Sequence, residues 1–512
     1  MSTPDPAAPP RVASFGKTAA SGAVWLGSAQ IVRIALTFAS TAIIARVLAP
    51  DDYGVIAMVG PILALIMMFQ DLGLGTAAIQ ADAISRQQSN ALFWLNMLAS
   101  GGLAAFLVLV SPAIGWFYHD ARAGHVAAVL GLGLLISGSG LQHSALLNRE
   151  LRFAWLGIVD ITGLIVTYGM SIVLAIELRS YWALVIGTLA GSLAQNLLYW
   201  YASPFRPARP SLRGIGAMAR FGGHITGFGL LNFCVRNLDD VLVARFAGAS
   251  AAGLYDRSYR LMMMPLQNIN GPISRILQPI LARLRSEPAR YRRIFGLAMR
   301  GTMLAVAPGV AVAALLSERL MPWLLGGQWK DAGPIFFWLG LAGLIQPIAN
   351  LTGLLFITTG RGAAMMRWGF ISAVVTIVSF AIGIQWGAVG VAQALFVSLL
   401  VRLPFLYHWS AADTPVPVRD MYGAQIEPLI GACVVGALFR AFGGTLPFFP
   451  MFAAAVALAY PAAFLTSFIS RSGRGYTKEL MRFAIGHSMG MTQHFSKLVR
   501  RNATSTDLSS PR

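Results

Sequence analysis

Apolar runs long enough to cross a bilayer recur from one end of this 512-residue chain to the other. Residues 363–384, AAMMRWGFISAVVTIVSFAIGI, carry a single charged side chain. At 1.5 Å of rise per residue, about 20 such residues cover the ~30 Å hydrocarbon core of a membrane. Charged residues make up 12% of the chain and hydrophobic ones 56%, whereas soluble domains are about 25% charged. The sequence therefore predicts an all-α polytopic membrane protein.

Hydropathy places fourteen spans at 21–45, 53–80, 90–117, 124–147, 153–176, 181–202, 222–246, 253–284, 294–316, 332–358, 365–385, 387–408, 425–442 and 447–470. A formal charge of +19 raises the question of a nucleic-acid partner, but its distribution answers it. Arg149 and Arg152, then Arg206, Arg209, Arg213 and Arg220, then Arg283, Arg285, Arg290, Arg292, Arg293 and Arg300 fall on alternate connectors, with the basic tail from Arg471. This is the positive-inside pattern, and it puts both termini in the cytoplasm with no nucleic-acid partner. Arg402 lies near the cytoplasmic end of its span, where snorkelling to the interface is expected. Cys234 and Cys433 sit in apolar stretches without metal or redox spacing and read as core residues. The first twenty residues have no cleavable apolar region. The basic tail after Ser470 fits either a segment lying on the anionic leaflet or a disordered one.

A repeat organises the spans. IARVLAPDDYG (44–54) aligns with VARFAGASAAG (243–253), pairing Arg46 with Arg245 and Gly54 with Gly253 at an offset of 199 residues. Six spans separate the copies, so the repeat is parallel. Each copy is expected to be a helix, a short outer loop ending in glycine, and a second helix. The organisation that follows is an N-terminal segment 1–20, an N-lobe of six spans (21–202), a basic linker (203–221), a pseudo-symmetric C-lobe of six spans (222–410), two more helices with their preceding loop (411–470), and a basic tail (471–512).

The same offset relates polar stripes. Gln30, Arg33, Thr37 and Ser40 recur at helical spacing on the first span. Asn232, Arg236 and Asp239 stand at the corresponding places on the seventh, and Asp71 corresponds to Asn270. On the eighth span Arg257, Asn268 and Arg275 share one face, with Arg260 beside them and Pro265, Pro272 and Pro279 seven residues apart. Interior prolines predict a bend. An arginine at mid-bilayer costs on the order of 2.5–3.5 kcal/mol. Arg236 has Asp239 and Asp240 at helical pairing distance, as Arg260 has Asp256, whereas Arg33 has no acidic neighbour on its own helix. Its partner must come from another helix or from a ligand. Guanidinium groups facing a cavity suit a phosphate or another anion. The substrate-binding candidates are Gln30, Arg33, Asn232, Arg236, Arg257, Arg260, Asn268 and Arg275. Asp71, Asp160, Asp239 and Asp240 are the candidates for holding a coupling proton or sodium ion. No other cofactor and no metal site is expected.

Enzymatic signatures are missing. None of the seven histidines forms HExxH, and GLGTAA (73–78) lies in an apolar helix without the strand a dinucleotide fingerprint needs. The outer segment 317–333 is too short for a catalytic domain, and its Trp323 and Trp329 read as interfacial anchors.

ARVLAPDDYGVIAMV after the first helix, DLGLGTAAIQ (71–80) in the second and NLDDVLVARFAGASAAGLYDRSYRL (237–261) together resemble the polysaccharide transporter branch of the MOP flippase superfamily, in particular its Wzx-type exporters. The resemblance covers about residues 14–470. It implies a flippase of the bacterial inner membrane that moves undecaprenyl-pyrophosphate-linked oligosaccharide units for exopolysaccharide or lipopolysaccharide synthesis by alternating access. It also implies cationic cavity residues on helices 1, 2, 7 and 8, and neighbours such as a polysaccharide polymerase and chain-length or export proteins. The second helix offers Asp71 in place of an arginine, a departure from the lipid II flippase pattern. A lipid II-type flippase and a non-transporting scaffold or polymerase of the same pathway are the alternative readings.

Overall fold

The computed structural model describes residues 30, 32–71, 84–210 and 237–482. Asn232, Cys234 and Arg236 lie outside them. The described residues are helical throughout, without a strand. In chain order they form α1 (32–47), α2 (Pro50–Asp71), α3 (Arg86–Tyr118), α4 (Ala121–Arg149), α5 (Phe153–Leu178) and α6 (Trp182–Ala202). Leu238–Arg283 is broken at Gly248 (φ 82°, ψ 179°), giving α7 before it and α8 after it. Then come α9 (Pro288–Leu315), the short α10 (Ser317–Leu325), α11 (Ala332–Thr358), α12 (Gly362–Gly383), α13 (Gly387–Ala411), α14 (Val418–Phe442), α15 (Phe448–Thr466) and α16 (471–482). Leaving aside α10 and α16, these helices fall on the expected spans as far as the described residues reach. Among the described residues ten helical stretches are long and apolar enough to cross a membrane, and one of them, Gly362–Ala411, contains both α12 and α13.

The break at Gly248 is a full reversal. Tyr255 O–H donates to Asp239 Oδ2 at 2.8 Å, although sixteen residues of straight helix would hold them about 24 Å apart. The two arms must therefore run antiparallel. A positive φ with extended ψ is open to glycine and strained for residues with a Cβ. Pro265, Pro272 and Pro279 leave the dihedral angles of α8 helical, so the sharp change of direction comes from glycine rather than from proline.

The chain divides into two compact units, Met1–Asp256 with Leu324–Lys330, and Arg257–Trp323 with Asp331–Arg512. In the first, the PDDYG turn is built by its own side chains. Pro50 takes the first position of α2, where a missing N–H costs nothing, and Asp51 and Asp52 lie in its first turn, favoured by the helix dipole. Asp52 accepts from the N–H of Ala49 at 3.1 Å and from that of Tyr181 at 3.0 Å, tying the turn to the connector before α6. Asp51 pairs with Arg122, which also holds Asp120 at 2.7 Å.

Two expectations for this region change. The turn of the first copy, expected on the outer side, is only Leu48–Ala49, so Gly54 lies inside α2 and Gly253 inside α8 instead of ending loops. And Trp329 is no interfacial anchor. It is fully buried, donates from Nε1 to the carbonyl of Ala45 at 2.7 Å, and meets Tyr53 edge-on at 5.3 Å. Gln328 donates to the carbonyls of Ala45 and Leu48 at 2.7 and 2.8 Å. The last carbonyls of a helix have no partner within it; here the segment 324–330 supplies them. Trp323 is partly exposed and stacks on Phe449.

Polar pins hold the first unit's interior. Gln70 Nε2 lies 2.7 Å from the carbonyl of Leu134 and 2.9 Å from the hydroxyls of Ser100 and Ser137, joining α2, α3 and α4. Such bonds replace the hydrophobic drive that lipid cannot supply.

In the second unit, ion pairs fasten α14 and α16 to α9. Arg300, 1% exposed, pairs with Glu427 at 2.7 Å and donates to the carbonyl of Ser467 at 3.1 Å. Arg292 pairs with Asp420 at 2.7 Å, and Tyr476 donates to the same carboxylate at 3.5 Å. Arg293 meets Glu479 at 2.6 Å. The start of the basic tail is thus a helix with fixed contacts. Arg402 also departs from expectation. It does not snorkel but is buried, donating to the carbonyls of Ser398 (2.9 Å) and Ser372 (2.7 Å), to Thr376 Oγ1 (2.9 Å) and to the hydroxyl of Ser372. Neutral oxygens between α12 and α13 solvate it more closely than an interface would. Cys433 is half-buried on α14.

Candidate functional site

The polar stripe of α1 faces α5. Thr37 Oγ1 accepts from the Tyr168 hydroxyl at 3.1 Å, and one turn and more away the charge of Arg33 acts on Asp160. Residues 160 and 168 share a face because eight residues are close to two turns. The acidic neighbour that Arg33 lacks on its own helix is therefore supplied by α5. No ion-pair contact to Arg33 forms among the described residues, and its side chain is exposed. Asp160 also acts on Tyr199 of α6, which bonds to Ser144 of α4. Arg33 thus lies within electrostatic reach of Asp160 without pairing with it, which leaves the guanidinium able to take an anion. Gln30 lies on the same helix and is exposed; Ser40 is buried and turned back onto the carbonyl of Leu36.

The acidic candidates separate. Asp239 is buried and held by Tyr255, within the reversal. Asp240 is half-buried, and its charge acts on Tyr118 at the end of α3. Asp71 is the last residue of α2. Arg245, near the end of α7, lies over the rings of Phe117 and Phe246 at 5.6 and 5.4 Å, a cation–π arrangement.

In the second unit, α8 carries Arg257 half-buried and Arg260 and Arg275 exposed. Asn268 donates to the carbonyl of Met264 at 2.7 Å. Asn270, which the sequence paired with Asp71, is buried with neither side-chain atom bonded among the described residues.

A family model described as polysaccharide biosynthesis protein matches residues 43–334, more than half of the chain. The chain belongs to this family. Its relatives include the lipopolysaccharide biosynthesis protein WzxC of Escherichia coli (strain K12), 25% identical over 395 residues that cover 76% of this chain and 80% of WzxC. Another is the succinoglycan biosynthesis transport protein ExoT of Rhizobium meliloti (strain 1021), 23% identical, covering 84% of this chain and 88% of ExoT. Among solved structures, the lipid II flippase MurJ in an inward closed conformation superposes with a TM-score of 0.73 at 11% identity, covering 90% of this chain and all of MurJ. The family thus has the fold of a membrane transporter rather than of an enzyme. Its model begins at residue 43, within α1, whose last carbonyls Trp329 and Gln328 cap.

Proposed function

We propose that this protein is a flippase that carries undecaprenyl-pyrophosphate-linked oligosaccharide units across the bacterial inner membrane, with both termini in the cytoplasm. The carrying observation is Arg33, an exposed guanidinium on a membrane-spanning helix that faces Asp160 without contact. A charge held there is costly unless water or an anion meets it, and a pyrophosphate offers the bidentate geometry guanidinium prefers. In the second unit, Arg257, Arg260 and Arg275 add charge of the same sign on α8, fitting for acidic sugars. The names of ExoT, a transport protein, and MurJ, a flippase, support the reading. Asp160, Asp239, Asp240 and Asp71 are the groups to carry a coupling proton or sodium ion, and a polysaccharide polymerase is the natural recipient of the flipped unit.

The test is transport by the purified protein in proteoliposomes loaded with a fluorescent lipid-linked oligosaccharide. Translocation that disappears in Arg33→Ala is the expected result. Absence of translocation by the unaltered protein would overturn the assignment and favour a scaffold role.

A further inference from the structure

At one end of the second unit, the connectors after α8, α11 and α13 gather around a cavity of about 360 Å³ lined by Arg285, Tyr291, Thr359, Arg361, Asp413 and Pro415. None of these residues belongs to the transport candidates above. The volume is at the lower end of small-ligand sites, room for a phosphate group and its immediate substituent.

The two arginines differ in a useful way. Arg361 is fixed: its Nη2 donates to the carbonyl of Ser410 at 2.6 Å, its Nη1 to that of Trp409 at 3.2 Å, and its Nε to Thr359 Oγ1 at 3.3 Å. Its guanidinium also lies over the Phe356 ring at 5.1 Å. A guanidinium has five N–H groups, so two remain for a ligand. Arg285, by contrast, is exposed and has no hydrogen bond or ion pair among the described residues. The only carboxylate of the lining, Asp413, stands 3.9 Å from Arg361 with its side chain 86% exposed, so it offsets little of the charge. Below, the Tyr291 and Thr358 hydroxyls are bonded to each other at 2.6 Å. The result is one rigid and one adaptable cation around a space with a net positive charge, an arrangement that an anion between them stabilises.

We propose that this cavity binds a phosphate group through Arg285 and Arg361. The phosphate comes from the headgroup of an anionic phospholipid or from a soluble phosphate. The inference rests on the cavity alone and is independent of the flippase reading. The connectors that build it are those the charge pattern places on the cytoplasmic side, where anionic lipid attracts basic residues.

The full-length protein in phosphatidylcholine nanodiscs, titrated calorimetrically with inorganic phosphate, tests the soluble source. Thermal stability and retained lipid in phosphatidylglycerol-containing against phosphatidylcholine nanodiscs test the lipid source. Arg285→Gln, which breaks no described contact, is expected to weaken whichever probe binds about tenfold. Arg361→Gln should abolish binding. Asp413→Asn, with its left-handed backbone (φ 58°) tolerated by asparagine, should tighten it by removing the competing carboxylate. Arg290→Gln, which breaks only the pair with Glu287 outside the cavity, should leave it unchanged. If neither probe binds, or if Arg285→Gln binds as the unaltered protein does, the site is refuted.

Discussion

Gly54 and Gly253, 199 residues apart, make reciprocal contacts within the first unit. A Cβ on Gly54 would overlap the carbonyl of Ala249, and a Cβ on Gly253 would overlap the carbonyl of Pro50. Ala249 and Pro50 are themselves related by the same offset. The internal repeat therefore meets itself at the first turns of α2 and α8, and only glycine lets these backbones approach. Gly54→Ala and Gly253→Ala should each lower stability by about 1–3 kcal/mol through overpacking. The double variant should lose less than the sum, because one widening of the contact relieves both. Melting temperatures in detergent measure this; strictly additive or negligible losses would contradict the reciprocal contact.

Arg33 gives the functional prediction. Arg33→Ala should reduce polymer yield at least tenfold in a strain lacking its own copy, while the protein reaches the membrane in normal amount. Arg33→Lys, which keeps the charge and loses the planar fork, should recover part of the yield. Equal yields from Arg33→Ala and the unaltered protein would remove Arg33 from the transport path.

The buried pair of Arg300 and Glu427 predicts a double-mutant cycle. Arg300→Met leaves the Glu427 carboxylate buried without its counter-charge and should cost about 3–5 kcal/mol. Adding Glu427→Leu should restore most of that loss. Equal stabilities for the single and double variants would show that the pair is not coupled.

Trp329 distinguishes a core role from an interfacial one. Trp329→Phe keeps a ring against Tyr53 and loses the bond to Ala45, costing about 1 kcal/mol. Trp329→Ala should cost about 3–5 kcal/mol. An interfacial anchor would show a much smaller loss on truncation, which calorimetric unfolding would reveal.

Asp120 makes the connector between α3 and α4 sensitive to acid. The hydrogen bonds from the Arg122 side chain hold its carboxyl below the ordinary carboxylate value. A lowered pKa contributes stability that is present above the unfolded value and lost as pH falls through the folded one. Asp120→Asn keeps a competent helix cap and loses only the charge. The stability gap between the unaltered protein and Asp120→Asn should therefore close as pH drops below about 4. A gap independent of pH would exclude the ion pair as its source.

The membrane class, the helices and the pairing of Gly54 with Gly253 were legible in the sequence because each is a pattern along one chain. Apolar runs report a bilayer directly, and the offset of 199 residues relates Gly54 to Gly253 without coordinates. The failures share a cause. Trp329 beside Gly326 and Lys330 carries the composition of an interfacial anchor, yet its destination is the open C-terminus of α1. Arg402 carries the composition of a snorkelling residue, yet Ser372 and Thr376 of the neighbouring helix draw it inward.

The sequence by itself determined that this chain is built of membrane helices, since hydrophobic thickness and helical period are one-dimensional properties. Tertiary structure alone decided which charges are spent inside the scaffold and which stay open. Arg300 closes on Glu427 and Arg292 on Asp420, while Arg33 faces Asp160 without touching it. That difference depends on where a second helix places its carboxylate, over distances of a few ångströms that no spacing along one helix encodes.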